Sequence, residues 1–494
     1  MSALSDGVDE RTGREVEPGD VPGGPVDRLR ANPRPAVGWA AVTAVLLLLE
    51  LGALAQFLTL LTVDFLRALP ITYQPTAVQS LADAFGQVPT LLSRDVIPNR
   101  GYWNGETYVD TFLGLPPAES WAIRATLIYG YAFGFVGWIW VGYERYRVNY
   151  RAADWTPRDD VLDRLRGHHW GLFGLIVVFM FVVMAVFAPA LGPTTVQKNL
   201  RDPYSYTMEY WDQEAGAVEE ITVGGANRGA RSVGTPDNNV GLMQYDQYGR
   251  FHPFGTLPTG KDLFTFIAAG ARISLIIGVL AVLLAGSVAA VLSLISAYYK
   301  GAVDLGFVFL ADAVLALPQL LVLIMLSVVL AETWIGRLYS GGLVLGLIFA
   351  GTAWPILWRA LRGPALQVSE REWIDAARSF GQSPWITMKK HMFPYITGYL
   401  LIYGSMTLGG AIIAIAGLSF LGLGVDPPTP EWGRAVNAGQ EYVGTRSWHI
   451  SLIPGALITL VVTGFNALGD GIRDAIDPQS DVAIGESAGR GGGG

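Results

Sequence analysis

Two runs, VTAVLLLLELGALAQFLTLL (42–61) and GLFGLIVVFMFVVMAVF (171–187), are each close to the ~20 apolar residues that cross the hydrocarbon core of a bilayer. Inside lipid every backbone N–H and C=O must be paired within the protein, so such runs fold as helices. Charged residues make up only 15% of the chain, against roughly 25% in an average soluble domain. Eight candidate spans follow: 37–63, 120–143, 171–191, 269–298, 305–330, 341–358, 397–421 and 450–469. The expected fold is an all-α polytopic membrane protein. A net charge of −8 leaves nothing to attract a phosphate backbone, so no nucleic acid is expected as a partner. There is no cysteine among the 494 residues, which excludes disulfides and thiolate metal sites. The five histidines form no metal-binding spacing, and no metal is expected. The basic residues are 29 Arg to 5 Lys. That acidic, lysine-poor balance fits a halophilic host, with a merely acidic protein as the alternative.

Lysine and arginine density orients the spans. Segment 144–169 carries six in 26 residues and 359–396 six in 38, while 67–119 carries three in 53 and 192–262 six in 71. The dense segments alternate with the sparse ones when both termini are cytoplasmic. Loops 67–119 and 192–262 then face outward, and 359–396 is the main inward loop. Residues 1–36 and 481–494 read as polar, Gly- and Pro-rich disordered tails. The region around 200–250 mixes aromatics with carboxylates and reads as a small, partly β-structured outward insert. Pro318, Pro355 and Pro454 interrupt apolar runs and are expected to kink their helices. The first span is not expected to be a secretory leader, because its apolar stretch is too long and no small-x-small cleavage site follows it.

The most informative stretch is SEREWIDAARSFGQSPWITMKKHMFP, 369–394. Ser369 with Glu372 three residues on has the form of a capping box, so a helix is expected to start there. Trp373, Ala376, Ala377 and Phe380 fall at i, i+3, i+4 and i+7, one apolar stripe. Gly381 is placed to end the helix in the left-handed region. Ser383-Pro384 is expected to open a second short helix, and Pro394 precedes the next span. An apolar stripe in water marks an interaction site unless it packs on the chain's own helices, and helix physics alone leaves both readings open.

The wording of this loop resembles the EAA loop of ATP-binding-cassette (ABC) importer permeases. Asp375-Ala376-Ala377, three residues, Gly381, nine residues, then His391-x-Phe393-Pro394 parallels E-A-A-x3-G-x9-I-x-L-P, with Asp for Glu and His-x-Phe-Pro for Ile-x-Leu-Pro. HPFGT (252–256), GARISL (270–275), YYKGAVD (298–304), Asp312 with Pro318, Trp354-Pro355, Arg359 and Arg362-Gly363 are similar in order to the dipeptide/oligopeptide/nickel branch. So are LSFLGLGVDPPTPEWG (418–433) and FNALGDGIRDAIDP (465–478). The resemblance covers roughly 171–480 and implies a type I importer, C-type subunit, its last six helices forming a MetI-like transmembrane domain. That domain is expected at 169–480, with outward insert 192–262 and cytoplasmic loop 359–396. Residues 37–168 are then an N-terminal addition of two spans and an outward loop.

What the resemblance implies is a transport subunit of the cell membrane, not an enzyme, working by alternating access on peptides or a related small solute. Its expected partners are a second permease, two ATP-binding subunits carrying ATP and Mg, and an extracytoplasmic binding protein, with no cofactor in this chain. Trp373, Asp375, Ala376, Ala377, Phe380 and Gly381 are the expected ATPase-coupling residues. Asp426, Pro427, Pro428, Pro430, Glu431 and Trp432 are the expected outer-face contacts with binding protein or substrate. An ion-coupled secondary transporter and a membrane scaffold or sensor stand as alternatives. Gly255 to Lys261 fits G-x-x-x-x-G-K, but Asp262 stands where Ser or Thr should hold magnesium, so no nucleotide is expected there. Of the charges inside spans, Glu50 is expected to face protein or be protonated, Arg124 to snorkel and Asp312 to be paired.

Overall fold

The computed structural model describes residues 25–52, 80, 84, 90, 92–151, 156–336 and 338–476. The protein is built from helices α1 Pro25–Ala31, α2 Arg34–Leu49, α3 Pro117–Asn149, α4 Pro157–Gly167, α5 His169–Val186, α6 Ala188–Leu191, α7 Val223–Gly229 and α8 Leu263–Tyr299. They continue as α9 Gly301–Leu315, α10 Gln319–Ala331, α11 Gly342–Ser369, α12 Glu372–Ser379, α13 Pro384–Thr387, α14 Phe393–Phe420, α15 Trp432–Gly439 and α16 His449–Ile476. Among the described residues six helices are long and apolar enough to cross a membrane, α3, α5, α8, α11, α16 and the continuous Pro384–Phe420. The pair α9 and α10, bent by 78° at the break before Gln319, is apolar enough to make a seventh if the two helices cross as one broken span rather than as a re-entrant loop. Pro318 sits at that break in extended backbone. Pro355 and Pro454 instead lie inside unbroken helices. The expected span 37–63 begins as α2, and its second half lies outside the described residues.

The expected tail 1–36 is helical from Pro25 onward, and residues 1–24 and 481–494 lie outside the described residues. Asp27 sits in the first turn of α1 and basic residues in its last turn, the charge order that complements a helix dipole. Arg28 donates to the Arg151 carbonyl at 2.7 Å, fastening this helix beside the start of the 156–476 region.

In lipid, helices pack by close van der Waals fit between small residues rather than by expelling water. The main core follows that rule. Ala281, Ala285 and Ala289 of α8, at i, i+4 and i+8, are fully buried with Leu357, Trp358, Leu361 and Ala365 of α11 and Ile415 of α14. Helices α5 and α16 touch through glycines: a Cβ on Gly171 would lie 2.8 Å from Gly471 Cα, and one on Gly174 would lie 2.4 Å from the Leu468 nitrogen. A second cluster joins Phe181, Leu263, Ile267, Ile412, Trp432 and Phe465. A third, containing Ile128, Ala132, Val183, Leu191 and Phe264, seats α3 of the N-terminal region on α5 and α8. A Cβ added at Gly130 or Gly134 of α3, which are spaced for close packing, would meet no other element within 4 Å among the described residues.

At one end of the bundle the expected β-structure appears as antiparallel hairpins. One pairs β3 Thr207–Asp212 with β4 Ala217–Thr222 and another pairs β5 Gln244–Tyr245 with β6 Phe251–His252. A further hairpin, β1 Asn99–Trp103 with β2 Tyr108–Thr111, lies in the 67–119 loop, where the sequence reading anticipated none.

Gly174→Ala puts a methyl group against backbone atoms that cannot swing aside, and should destabilise the α5–α16 contact by roughly 1–3 kcal/mol. Thermal unfolding of the detergent-solubilised chain measures it, with Gly351→Ala, where a Cβ meets nothing within 4 Å, unchanged as the control.

Candidate functional site

At the end of the bundle opposite the hairpins, α11 runs through Ser369, whose hydroxyl donates to the Leu366 carbonyl at 2.7 Å. The expected capping box is therefore not formed. Ser369 closes the preceding helix, and α12 starts at Glu372 after Arg371 in extended backbone. The preceding helix runs on through Gly363 and Pro364 to Ser369, so the serine was already spent when α12 began. Helix α12 ends as expected: Gly381 has φ +74°, its N–H donates to Arg378 O at 2.9 Å, and the Gln382 N–H donates to Ala377 O at 3.0 Å. Those two bonds make a Schellman stop.

The second short helix is not separate. Residues 388–392 make one π turn between α13 and α14, so Pro384–Phe420 is a single 37-residue helix. Pro394 lacks an N–H and its ring crowds the carbonyl four residues back, and a π turn just before it absorbs that misfit.

Only one face of α12 touches the bundle. Ile374 is fully buried in the main core with Val368, Met388 and Met392. Arg378, four residues on, donates to the Tyr298 carbonyl at 3.0 Å and lies over the Tyr298 ring at 4.3 Å. Trp373 is 49% exposed and Phe380 91% exposed. Asp375 and Ala376 are exposed and Ala377 is half-buried. The structure thus gathers Trp373, Ala376, Ala377 and Phe380 on an outward face. Ile374 is the anchor that the stripe pattern missed. An isoleucine paired with an arginine at i+4 was its only sequence signal, and a single apolar residue makes no stripe.

Behind the loop, α9 is fastened to α11 by two ion pairs. Arg362 Nε donates to Asp304 at 2.6 Å, and Arg359 pairs with Asp312. Asp312 has the structural partner expected of it.

At the hairpin end, residues 421–431 connect α14 to α15. Asp426, Pro427 and Pro428 are exposed, whereas Pro430, Glu431 and Trp432 are buried. Glu431 caps α15, accepting from Gly433 N at 2.7 Å and Arg434 N at 3.3 Å. Burial pushes its carboxyl up to about 7 despite those bonds. Trp432 donates to Ile267 O at 2.7 Å and packs against Phe181. Gly433 is required by close approach, since a Cβ there would lie 1.8 Å from Ala416 O. Half of the residues expected to face a partner therefore lock the loop into the core instead. Among the described residues no group of three His, Asp or Glu is spaced to hold a metal ion.

Comparison with known proteins decides the family. A model described as "Binding-protein-dependent transport system inner membrane component" matches residues 283–481, and one described as "N-terminal TM domain of oligopeptide transport permease C" matches 156–213. The glutathione transport system permease protein GsiD of Pectobacterium atrosepticum is 34% identical over 250 residues, 48% of this chain and 80% of that protein. The chain belongs to the ABC importer permeases of this family. The dipeptide transport system permease protein DppC of Alkalihalophilus pseudofirmus is 28% identical over 329 residues, 66% of this chain and 90% of the relative. The GsiD protein of Escherichia coli O157:H7 is 29% identical over 324 residues, covering 66% and 91%. The chain is a multi-pass inner-membrane permease subunit of the C type, and such subunits are not themselves catalytic.

Both ends of the permease are tied to α8. At the hairpin end Asp262 caps that helix, accepting from Thr265 N at 2.6 Å, and also holds His252 Nδ1 at 2.8 Å. The other imidazole nitrogen lies 3.3 Å from Asp246, which Arg250 holds at 2.7 Å. Burial works against a charged His252, but the two carboxylates outweigh it and keep its pKa above the ordinary value. Burial likewise works against the Asp246 carboxylate, while Arg250 and His252 hold its pKa down to about 2. Arg124 does not snorkel as expected. It is fully buried, donating to Ile97 O at 2.7 Å, Asn99 Oδ1 at 2.8 Å and Gly192 O at 3.2 Å, because the 92–111 segment folds back over the helix end. Glu50 is buried against protein.

Ile374→Ala removes the sole buried apolar anchor of α12 and should loosen that helix by about 2–5 kcal/mol, seen as faster hydrogen exchange in 372–392 with the rest of the bundle unchanged. The raised pKa of His252 gives a definite sign. Its contribution to stability is complete below pH ~6.5 and is lost as pH rises through the higher folded value. The melting-temperature gap between wild type and His252→Gln should therefore be widest at low pH and narrow above neutrality. A gap that does not vary with pH would show that the ring stays neutral.

Proposed function

We propose that the chain forms half of the translocation pathway of an ATP-driven importer for peptides or a related small solute, and that α12 is the surface on which an ATPase subunit acts. The carrying observation is the split of that helix. Ile374 and Arg378 bind it to the bundle, while Trp373, Asp375, Ala376 and Phe380 are left in the open. Small residues between two exposed aromatics let a second backbone approach closely and give it area to grip. Among the expected coupling residues Gly381 acts differently, setting the angle at which the chain leaves the helix.

The lysine and arginine density supports placing this loop and both termini in the cytoplasm, with 192–262 outside. A second permease, two ATP-binding subunits carrying ATP and Mg, and an extracytoplasmic binding protein complete the assembly. The names of the relatives, dipeptide and glutathione permeases, support a peptide-like cargo. At the outer face the reading assigns contact with the binding protein or cargo to Asp426, Pro427 and Pro428, all exposed; the two prolines line a cavity of about 480 Å³ together with Lys261, Arg434 and Glu441. Pro430, Glu431 and Trp432 support that contact from beneath. Within 37–168, the residues that precede the match at 156–213 are read as an addition to the transport domain.

Movement of the ATPases displaces α12, and its attachments to α8 and to Pro384–Phe420 carry the displacement into the spans. A ligand moves such an equilibrium only by contacting its two states differently, and a groove that grips Trp373 and Phe380 in one state supplies that difference. The chain has no cysteine, so Ala377→Cys is a unique reactive site. Co-expressed with an ATPase subunit bearing a groove cysteine, it should crosslink with a yield that changes between ATP-bound and nucleotide-free states. Absence of a crosslink in every nucleotide state would overturn the coupling reading.

A further inference from the structure

The hairpin end gathers cations that make no direct ion pair, although Asp95 acts on Arg94 and Arg100 from a distance and Asp262 on Arg94. Arg94 donates only to carbonyls, Gly192 O at 3.0 Å and Thr194 O at 2.6 Å. Arg100 reaches the Thr194 hydroxyl at 3.3 Å. Lys198 lies over the Tyr206 ring at 5.2 Å. Among the described residues none of these three, nor Arg124 beside them, has a carboxylate within ion-pair distance. They repel one another: burial first, then Arg100 and Arg94, push the Lys198 ammonium below its ordinary pKa. Arg94 and Lys198 are half-buried and Arg124 fully buried, with Arg100 exposed at the rim, and buried like charges are costly unless a counter-charge joins them.

They also border a cavity. A space of about 290 Å³, near the lower end of the ~300–1,000 Å³ of small-molecule sites, is lined by Arg100, Thr194 and Lys198 and also by Tyr102, Asp110 and Glu209. Glu209 and Asp110 form a separate acidic group: both act on the Tyr102 hydroxyl, Glu209 by a hydrogen bond, and neither pairs with Arg100 or Lys198. The cavity therefore has a basic and an acidic region within one small volume. Its hairpin wall, 99–110, and its 249–262 wall lie outside both family matches, which cover 156–213 and 283–481. Its Thr194, Lys198 and Glu209 wall lies inside the 156–213 match, so the cavity joins part of the shared transport domain to the 99–110 hairpin.

We propose that this cavity is a binding site for a small zwitterion of amino-acid to dipeptide size, its carboxylate held by Arg100, Lys198 and the Thr194 hydroxyl and its ammonium by Glu209 and Asp110. A carboxylate accepts charge-assisted hydrogen bonds from Arg and Lys, and its arrival relieves the repulsion among Arg94, Arg100 and Lys198. The ammonium end satisfies two carboxylates that have no cation of their own. The inference follows from the cavity's charges and does not depend on the importer reading.

The test is calorimetric titration of the full chain in nanodiscs, without any ATPase, using alanyl-alanine, its N-acetyl form, its C-terminal amide and inorganic phosphate. Free dipeptide should bind best, with either blocked form weaker by about tenfold or more. Arg100→Gln and Lys198→Ala should weaken the free dipeptide and the N-acetyl form alike. Glu209→Gln should weaken the free dipeptide and leave the N-acetyl form unchanged, a pattern that a folding defect does not produce. Unaltered melting temperatures show that each variant is folded. No heat with the dipeptide, equal binding of the amide, tighter binding of phosphate, or indifference to Arg100→Gln and Lys198→Ala together would overturn the proposal. Because no ATPase is present, this result and the Ala377→Cys crosslink can fail separately.

Discussion

Helix α8 is the member on which the rest of the structure depends. Its 37 residues at 1.5 Å each make a rod of about 55 Å, longer than the hydrocarbon layer. At one end Asp262 caps it and ties it to His252 and the hairpins, and at the other Tyr298 receives Arg378 from α12. Between those ends Ala281, Ala285 and Ala289 bring it against α11 at backbone distance. Lipid tails are as apolar as leucine, so only such close fit holds helices together in a membrane. The small side chains that permit the contact are thus also what makes the two faces of the permease parts of one body.

That continuity explains how a helix as short as α12 can matter to the whole bundle. Eight residues standing free in water would scarcely be helical. Here Ile374 is planted among Val368, Met388 and Met392, Arg378 grips the last turn of α8, and Gly381 gives a sharp stop. The remaining face carries Trp373 and Phe380 into solvent, where an isolated monomer gains nothing from them. Stability has been concentrated on one side of α12 so that the other is free to be grasped. At the hairpin end the arrangement is the reverse. Glu431 and Trp432 are drawn into the core to fix a short proline-rich loop, and only Asp426 to Pro428 are presented outward.

Much of this was legible in the chain itself. Apolar run length marked the spans, because hydrocarbon thickness sets a minimum that only long runs meet. The αL glycine at Gly381 and the stripe Trp373, Ala376, Ala377, Phe380 depend on helical spacing alone, and both stand in the structure as read. The errors arose where two local rules competed for one residue. Ser369 satisfies the spacing of a capping box, yet α11 reaches it first. Pro394 reads as a boundary, yet a π turn carries the helix past it. Arg124 near a helix end reads as a snorkelling side chain, yet the segment from Leu92 to Thr111 closes over it and supplies carbonyls in place of water.

The sequence by itself determined the solvent in which this protein lives, the rough limits of most of its spans, and the family wording of the 369–394 loop, all of which rest on composition and short-range periodicity. Only the tertiary structure decided which face of α12 is anchored, which half of the 426–433 loop is hidden, and that the 99–111 hairpin and the 192–262 insert enclose a charged cavity. Those outcomes turn on contacts between residues 70 to 200 positions apart, such as Arg378 with Tyr298 or Trp432 with Ile267. No local pattern records them, because a side chain's neighbours across a bundle are set by how whole helices fit together.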